Sequence, residues 1–328
     1  MKNITGLRKV FFLFLVLIIF FLTIYLVKSD SNKNILGDTN INTGNGWKNY
    51  QSYYSGSEIS FSFKNSNEIS FTVETDSNSD QGIEIFIDNE KYILSSPNLN
   101  NQKLSITVDK NKPHTVAIRH FCSFFNNPCQ IKLSGIFLES SAVITPYQKH
   151  SKVLSVLGDS ISTIYGRYNY SQILADNLGY ELHNASIMGS TLSNTERADD
   201  GIDRYKKDLM QSNSDAIIIF MGSNDIKGGI SLSDFSKDYS KIVTDVKTFN
   251  SKSKIFLVGI LHRKDLNDAI IYKYNEIIKD IAKINKAYYI DTNSWLEEND
   301  YADEIHPSIE GQKKILDNFG NFLYPILK

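Results

Sequence analysis

The stretch VLSVLGDSISTIYG, residues 153–166, carries an apolar run into Gly158, Asp159 and Ser160. Read alone, it is a strand ending in turn-forming residues, since Gly, Asp and Ser all favour turns. It becomes a catalytic element only if the rest of the chain supplies a base, an orienting acid and oxyanion donors for Ser160.

Outward from it, apolar runs alternate with longer amphipathic segments. KVLSVL (152–157), YELHNA (180–185), AIIIFM (216–221), KIFLVGI (254–260) and AYYID (287–291) read as strands. Helical spacing is expected over 171–178, 196–210, 233–249, 265–285 and 308–323, the last with Ile315, Leu316, Phe319, Phe322 and Leu323 on one face. Apolar strands alternating with helices predict an α/β fold whose parallel sheet is covered on both faces. In such sheets ligands gather beyond the carboxyl ends of the strands, which is where Ser160 falls.

The preceding region has period two instead. Ile59, Phe61 and Phe63, then Ile69, Phe71 and Val73, then Ile83, Ile85 and Ile87 alternate with polar residues, and turns such as DNEK and DKNKPH separate the runs. That pattern predicts an all-β sandwich or jelly roll over 47–146. Residues 29–46 are polar and read as a linker.

The strand ends bring chemistry together. FMGSND places Gly222 and Asn224 after the third strand, and NASIMGS places Gly189 after the second. YADEIHPSIEG puts Asp303 three residues before His306, where Pro307 opens the last helix. One short loop can then aim the carboxylate at one ring nitrogen and leave the other for the serine. His262, after the fourth strand, is a weaker candidate base. His114, His120, His150 and His183 fall in the β region, between the regions, or in a strand.

These blocks, GDSIS, Gly189, GSND and DEIH in that order, resemble the SGNH (GDSL-like) hydrolase superfamily over residues 150–328. The resemblance implies a three-layer α/β/α fold, a Ser160–His306–Asp303 triad, and an oxyanion hole from the Ser160 and Gly189 backbones and the Asn224 side chain. The β region followed by GDSIS and Tyr165-Gly166, with HTVAIRHF and IKLSGIFLES, is similar to carbohydrate esterase family 2, which removes acetyl groups from sugars. Ile164 departs from that pattern, where a smaller residue is commoner, and implies a differently shaped pocket.

Composition narrows the partners. A formal charge of -2 and a pI near 6.3 give no basic field for nucleic acid. After Lys2, Arg8 and Lys9, residues 10–27 are eighteen uncharged residues, enough for a helix of roughly 27 Å against a bilayer core of about 30 Å. Residues 1–28 read as a cytoplasmic tail and membrane anchor with the rest outside the cell, or as a cleaved signal segment that leaves a secreted protein. The two cysteines, Cys122 and Cys129, suit a disulfide in an exported chain, free thiols being the alternative. They make no zinc site, and the chemistry needs neither metal nor cofactor.

The expected activity is therefore removal of O-acetyl groups from a glycan through an acyl-enzyme on Ser160. Tyr165, Tyr168 and Trp295 lie near the rim and are expected to stack on sugar. The alternatives are a membrane-anchored O-acyltransferase, which shares the acyl-enzyme, and a non-catalytic glycan-binding protein, which the intact set of residues disfavours.

Overall fold

The computed structural model describes residues 32–44, 46–52, 54–75, 81–95, 103–122 and 130–328. The period-two region forms β1 (Asn32–Asn34), β2 (Asn42–Thr43), β3 (Trp47–Lys48), β4 (Gln51–Ser52), β5 (Glu58–Lys64) and β6 (Glu68–Thr75). It continues with β7 (Gln81–Ile87), β8 (Glu90–Ser95), β9 (Lys103–Thr107), β10 (His114–Cys122), β11 (Ile131–Glu139) and β12 (Val143–Thr145). One antiparallel sheet runs β3-β4-β11-β6-β9, with β1 also on β11; the other runs β12-β5-β10-β7-β8, with β2 also on β5. Alternation turns Phe61, Phe63, Phe71, Ile85, Ile118 and Leu138 into one core between the sheets, giving a jelly-roll-like sandwich.

The stretch expected as a linker belongs to this sandwich from Asn32 onward. β1 and β2 each extend a sheet, and Ile35 and Ile41 are 3% and 8% exposed in its core. Edge pairing is made by backbone groups, so a polar composition does not prevent it.

The second region forms a parallel sheet of β13 (Val153–Gly158), β14 (Glu181–Asn184), β15 (Ala216–Phe220), β16 (Lys254–Val258) and β17 (Tyr288–Ile290), in the order β14-β13-β15-β16-β17. Its helices are α1 (Tyr170–Leu178), α2 (Gly201–Asp208), α3 (Ser223–Lys227), α4 (Leu232–Phe249), α5 (Asp268–Asn285) and α6 (Ile309–Leu327). Leu154, Val156, Ile218 and Phe220 face α1 and α6, whereas Leu157, Ile217, Ile219 and Leu257 face α2, α4 and α5. The result is the three-layer α/β/α arrangement. Phe319 of α6 is fully buried and stacks on Tyr170 of α1 at 4.9 Å, a burial that stabilises by about 2–3 kcal/mol. Strand order reverses at β13, so the crevice of this sheet opens between the ends of β13 and β15.

The two regions are joined by a charged network. Arg119 of β10 contacts Glu58 (3.0 Å), Glu84 (3.3 Å) and, across the boundary, Asp176 of α1 (2.7 Å). His150 adds a bond of 2.8 Å to Glu58. Burial alone would raise the Glu58 pKa, but the His150 hydrogen bond and the Arg119, His150 and Lys149 charges hold it down at about 2. Tyr54 reaches Asp208 of α2 at 2.8 Å and packs on the His183 ring.

The apolar run 10–27 and Cys129 lie outside the described residues. Among the described residues, no helix is long and apolar enough to cross a membrane. Cys122, which ends β10, is buried and disulfide-bonded.

Candidate active site

The turn after β13 is held from several sides. Asp159 accepts from the Ile161 N–H (3.0 Å) and the Ser223 hydroxyl (3.0 Å), and its burial raises its pKa. Asn169 Nδ2 donates to the carbonyls of Ile161 and Ile164, both at 2.9 Å, and Asn184 Nδ2 donates to that of Ser162 at 2.7 Å. Gln312 of α6 donates to the Ile161 carbonyl (3.0 Å) and accepts from the Tyr170 N–H (3.1 Å). Ser160 therefore starts a short 3₁₀ turn whose position is fixed by side chains from α3, the cap of α1, β14 and α6.

The loop before α6 approaches this turn. A bridge between Tyr301 and Pro307 and a bond from Ala302 N–H to His306 carbonyl (2.8 Å) close it into a tight hairpin. His306 Nε2 lies 3.0 Å from Ser160 Oγ, and its Nδ1 lies 2.8 Å from Asp303 Oδ2. Asp303 Oδ1 also accepts from the Ile305 and His306 N–H groups, at 2.7 and 2.6 Å. Burial pushes the Asp303 pKa up, but the bonds from the His306 backbone and ring and from Ile305 outweigh it and leave it at about 2. The carboxylate is thus an anion facing an imidazole that faces a serine, the linear order that acyl transfer requires.

The donors expected opposite the serine come to the same edge. Gly189 has φ 72, a left-handed value that costs glycine nothing, and a Cβ built there meets nothing within 4 Å. Asn224, in the first turn of α3, donates through Nδ2 to the carbonyl of Ser190, the residue after Gly189, at 3.0 Å. An amide nitrogen carries two hydrogens, so one remains for a ligand. Gly222, at φ 128, lets the chain turn into α3 under Ile260 and Phe235.

The aromatic residues divide. Tyr165, at φ 66, donates to the Pro307 carbonyl at 3.2 Å and so ties the serine turn to the histidine loop. Tyr168 is 58% exposed beside Arg167. Trp295 does not reach the rim: it is 8% exposed and packs edge-on against Phe319 in the α6 core. Its apolar face found aliphatic and aromatic partners beneath the sheet end, which outweighs exposure to water.

His262 pairs with Asp268 at 2.7 Å, and its side chain bonds neither Ser160 nor Asp303. His120 and His183 are buried, and burial lowers both pKa values. Two further groups brace the site without any local signature in the sequence. Arg204 of α2 contacts the carbonyls of Gly158 (3.3 Å) and Ala185 and the Ser190 hydroxyl (3.3 Å), pinning the end of β13 to the loop after β14. Asp225 accepts from Leu192 and Ser193 N–H, both at 2.8 Å, and burial raises its pKa to about 6. Asp225 stood in the GSND block, but nothing local signals the partners of either.

Residues 156–314 match the model of the GDSL-like Lipase/Acylhydrolase family. Over those residues the chain is similar to the GDSL-like acylhydrolases. Esterase TesA of Pseudomonas aeruginosa is 23% identical over 197 residues, covering 56% of this chain and 94% of that protein. The likeness in structure extends over both regions. A family two carbohydrate esterase from Cellvibrio japonicus superposes with a TM-score of 0.70 at 18% identity, over 90% of this chain and 98% of that one. The salicylyl-acyltransferase SsfX3 from a tetracycline biosynthetic pathway superposes with a TM-score of 0.66 at 12% identity, over 90% and 97%. At such identities the structural neighbours establish the fold alone, an antiparallel β region joined to a three-layer α/β/α region. Among the described residues, no cluster of His, Cys, Asp and Glu suits a metal ion.

Proposed function

We propose that this protein is a serine esterase that removes O-acetyl groups from a carbohydrate outside the cytoplasm. The observation that carries the reading is the continuous Ser160–His306–Asp303 chain, at 3.0 and 2.8 Å. Ser160 Oγ attacks the ester carbonyl as His306 Nε2 takes its proton, and Asp303 stabilises the imidazolium. The Ser160 and Gly189 N–H groups and the free Asn224 N–H hold the developing oxyanion. His306 returns the proton to the sugar oxygen; a water activated by the same nitrogen then releases acetate.

The two-region architecture shared with a family two carbohydrate esterase supports a sugar ester as substrate. Tyr168, exposed near the serine turn, offers a face for a sugar ring. Residues 10–27 would hold the protein on the membrane with this site outside the cell. A second reading, an O-acyltransferase, has the support of the likeness to SsfX3 and differs only in the acceptor that resolves the acyl-enzyme.

The test is acetate release by the full-length protein and by Ser160→Ala on acetylated xylan, acetylated mannan, O-acetylated peptidoglycan and an aryl acetate. Release from a glycan by the parent alone supports the esterase. Aryl acetate turnover with acetyl appearing on an added sugar, and no release from glycans, favours the transferase. No turnover of any ester by the folded protein overturns both.

A further inference from the structure

Away from Ser160, Asp303 and His306, a cavity of about 390 Å³ lies between the loop after β16, the loop after β17 and α5. That size falls within the range of small-ligand sites, about 300–1,000 Å³. The acyl-transfer chemistry leaves it unused.

Its lining combines a rigid wall with free polar groups. Asn275 is buried and grips Ile260 at both backbone groups, accepting at 2.7 Å and donating at 3.2 Å. His262 and Asp268 pair at 2.7 Å through Nδ1, and the Nε2 of His262 has no partner among the described residues. The Ser294 hydroxyl likewise has none, and its backbone sits at φ 64, a left-handed value that is costly for a residue with a Cβ. Asn293 uses one amide hydrogen on Asp291 and keeps its carbonyl oxygen. Tyr272 lines the same cavity and is 61% exposed, an aromatic ring left uncovered on α5.

Charge narrows the ligand. No lysine or arginine lines the cavity, so nothing there matches a phosphate or carboxylate. Its one carboxylate, Asp268, is already bonded to His262. What remains is an aromatic face beside neutral donors and acceptors, the complement of a pyranose ring with one apolar face and a rim of hydroxyls.

We propose that this cavity is a second carbohydrate-binding site, which takes one neutral sugar ring on Tyr272 with its hydroxyls on Asn293, Ser294 and the His262–Asp268 pair. The wall of the site is bonded to the histidine loop: Tyr301 donates its hydroxyl to the His262 carbonyl, and Lys264 N–H donates to the Glu304 carbonyl at 3.2 Å. A glycan held here therefore steadies the segment that carries Asp303 and His306. The choice of sugar probes rests on the glycan reading above; the site itself does not require that Ser160 be active.

Amide hydrogen exchange of the full-length protein with unacetylated xylohexaose, mannohexaose or chitohexaose locates binding directly. One of these probes is expected to slow exchange in segments 260–272 and 290–296, with an apparent affinity that Tyr272→Ala weakens about tenfold or more. Aryl acetate turnover, read on the same samples, is expected to be unchanged by Tyr272→Ala. Protection confined to 158–168 and 303–306, protection unaffected by Tyr272→Ala, or no protection by any probe overturns the second site. Protection without turnover of aryl acetate or of any acetylated glycan overturns the esterase reading and leaves this site standing.

Discussion

Asp303 grips His306 twice, with Oδ2 2.8 Å from the ring Nδ1 and Oδ1 2.6 Å from the backbone nitrogen. Asp303→Asn can keep the backbone bond through its carbonyl oxygen while turning an amide N–H toward Nδ1. The ring then carries its proton on Nε2, where it cannot accept from Ser160. We expect kcat/KM on an aryl acetate to fall about 10²- to 10⁴-fold, the upper end being the loss seen when a buried triad aspartate is changed this way. The melting temperature should hold. Kinetics within threefold of the parent would mean that Asp303 only shapes the loop, about threefold being too small for a wrong tautomer.

The oxyanion donors separate by chemistry. Asn224→Ala removes a side-chain N–H and is expected to lower kcat about 10²- to 10³-fold. Gly189→Ala meets no neighbour, so its stability cost is the left-handed backbone alone, about 1–2 kcal/mol. Its methyl group faces open space, and steady-state kinetics should show a loss in kcat/KM beyond that small destabilisation.

The boundary between the two regions should respond to acid. Glu58 has its pKa lowered from 4.5 to about 2 in the folded protein, so folding gains from its charge above pH 4.5 and loses that gain as pH falls toward 2. Glu58→Gln strips a buried partner from Arg119 and His150, a change that costs about 3–5 kcal/mol when one member of such a set is removed. Denaturant melts of both proteins from pH 7 down to 3 should show the difference constant above pH 4.5 and shrinking below it. A gap that widens on acidification would contradict the assignment.

Gln312 links α6 to the serine turn. Gln312→Leu leaves the Tyr170 N–H buried without its partner, for a loss of about 1–3 kcal/mol in urea unfolding. Because the same side chain supports the Ile161 carbonyl beside Ser160, kcat should fall more than KM changes.

Trp295 gives the opposite expectation from a sugar platform. Truncation to alanine should destabilise by about 3–5 kcal/mol, as for other buried aromatics, while Trp295→Phe leaves the KM for a glycan ester unchanged. A raised KM at unchanged stability would return it to the rim.

The parallel sheet was legible because β15 and β16 carry the unbroken apolar runs AIIIF and IFLV and β13 is broken only by Ser155, and the serine turn because Gly158, Asp159 and Ser160 close the first of these runs. Asp303 and His306 were legible because they stand three positions apart in one loop. Residues 32–44 hide their strands in the sequence because β1 and β2 pair through backbone groups, and only Ile35 and Ile41 mark the burial. Trp295 sat at the right place in the sequence for a rim residue, but the direction of a side chain leaving a short loop has no local signature. Arg119 and Asp176 meet from different regions, as do Tyr54 and Asp208, and such pairs are written only in three dimensions.

Ester cleavage by this site requires that Ser160 become acylated. Brief reaction of the full-length protein with an aryl acetate, acid quench and peptide mass analysis should find one acetyl group on the peptide containing Ser160, absent from Ser160→Ala and accumulating in Asp303→Asn only slowly. Ester turnover with no acetyl on that peptide, or turnover that survives Ser160→Ala, would contradict it.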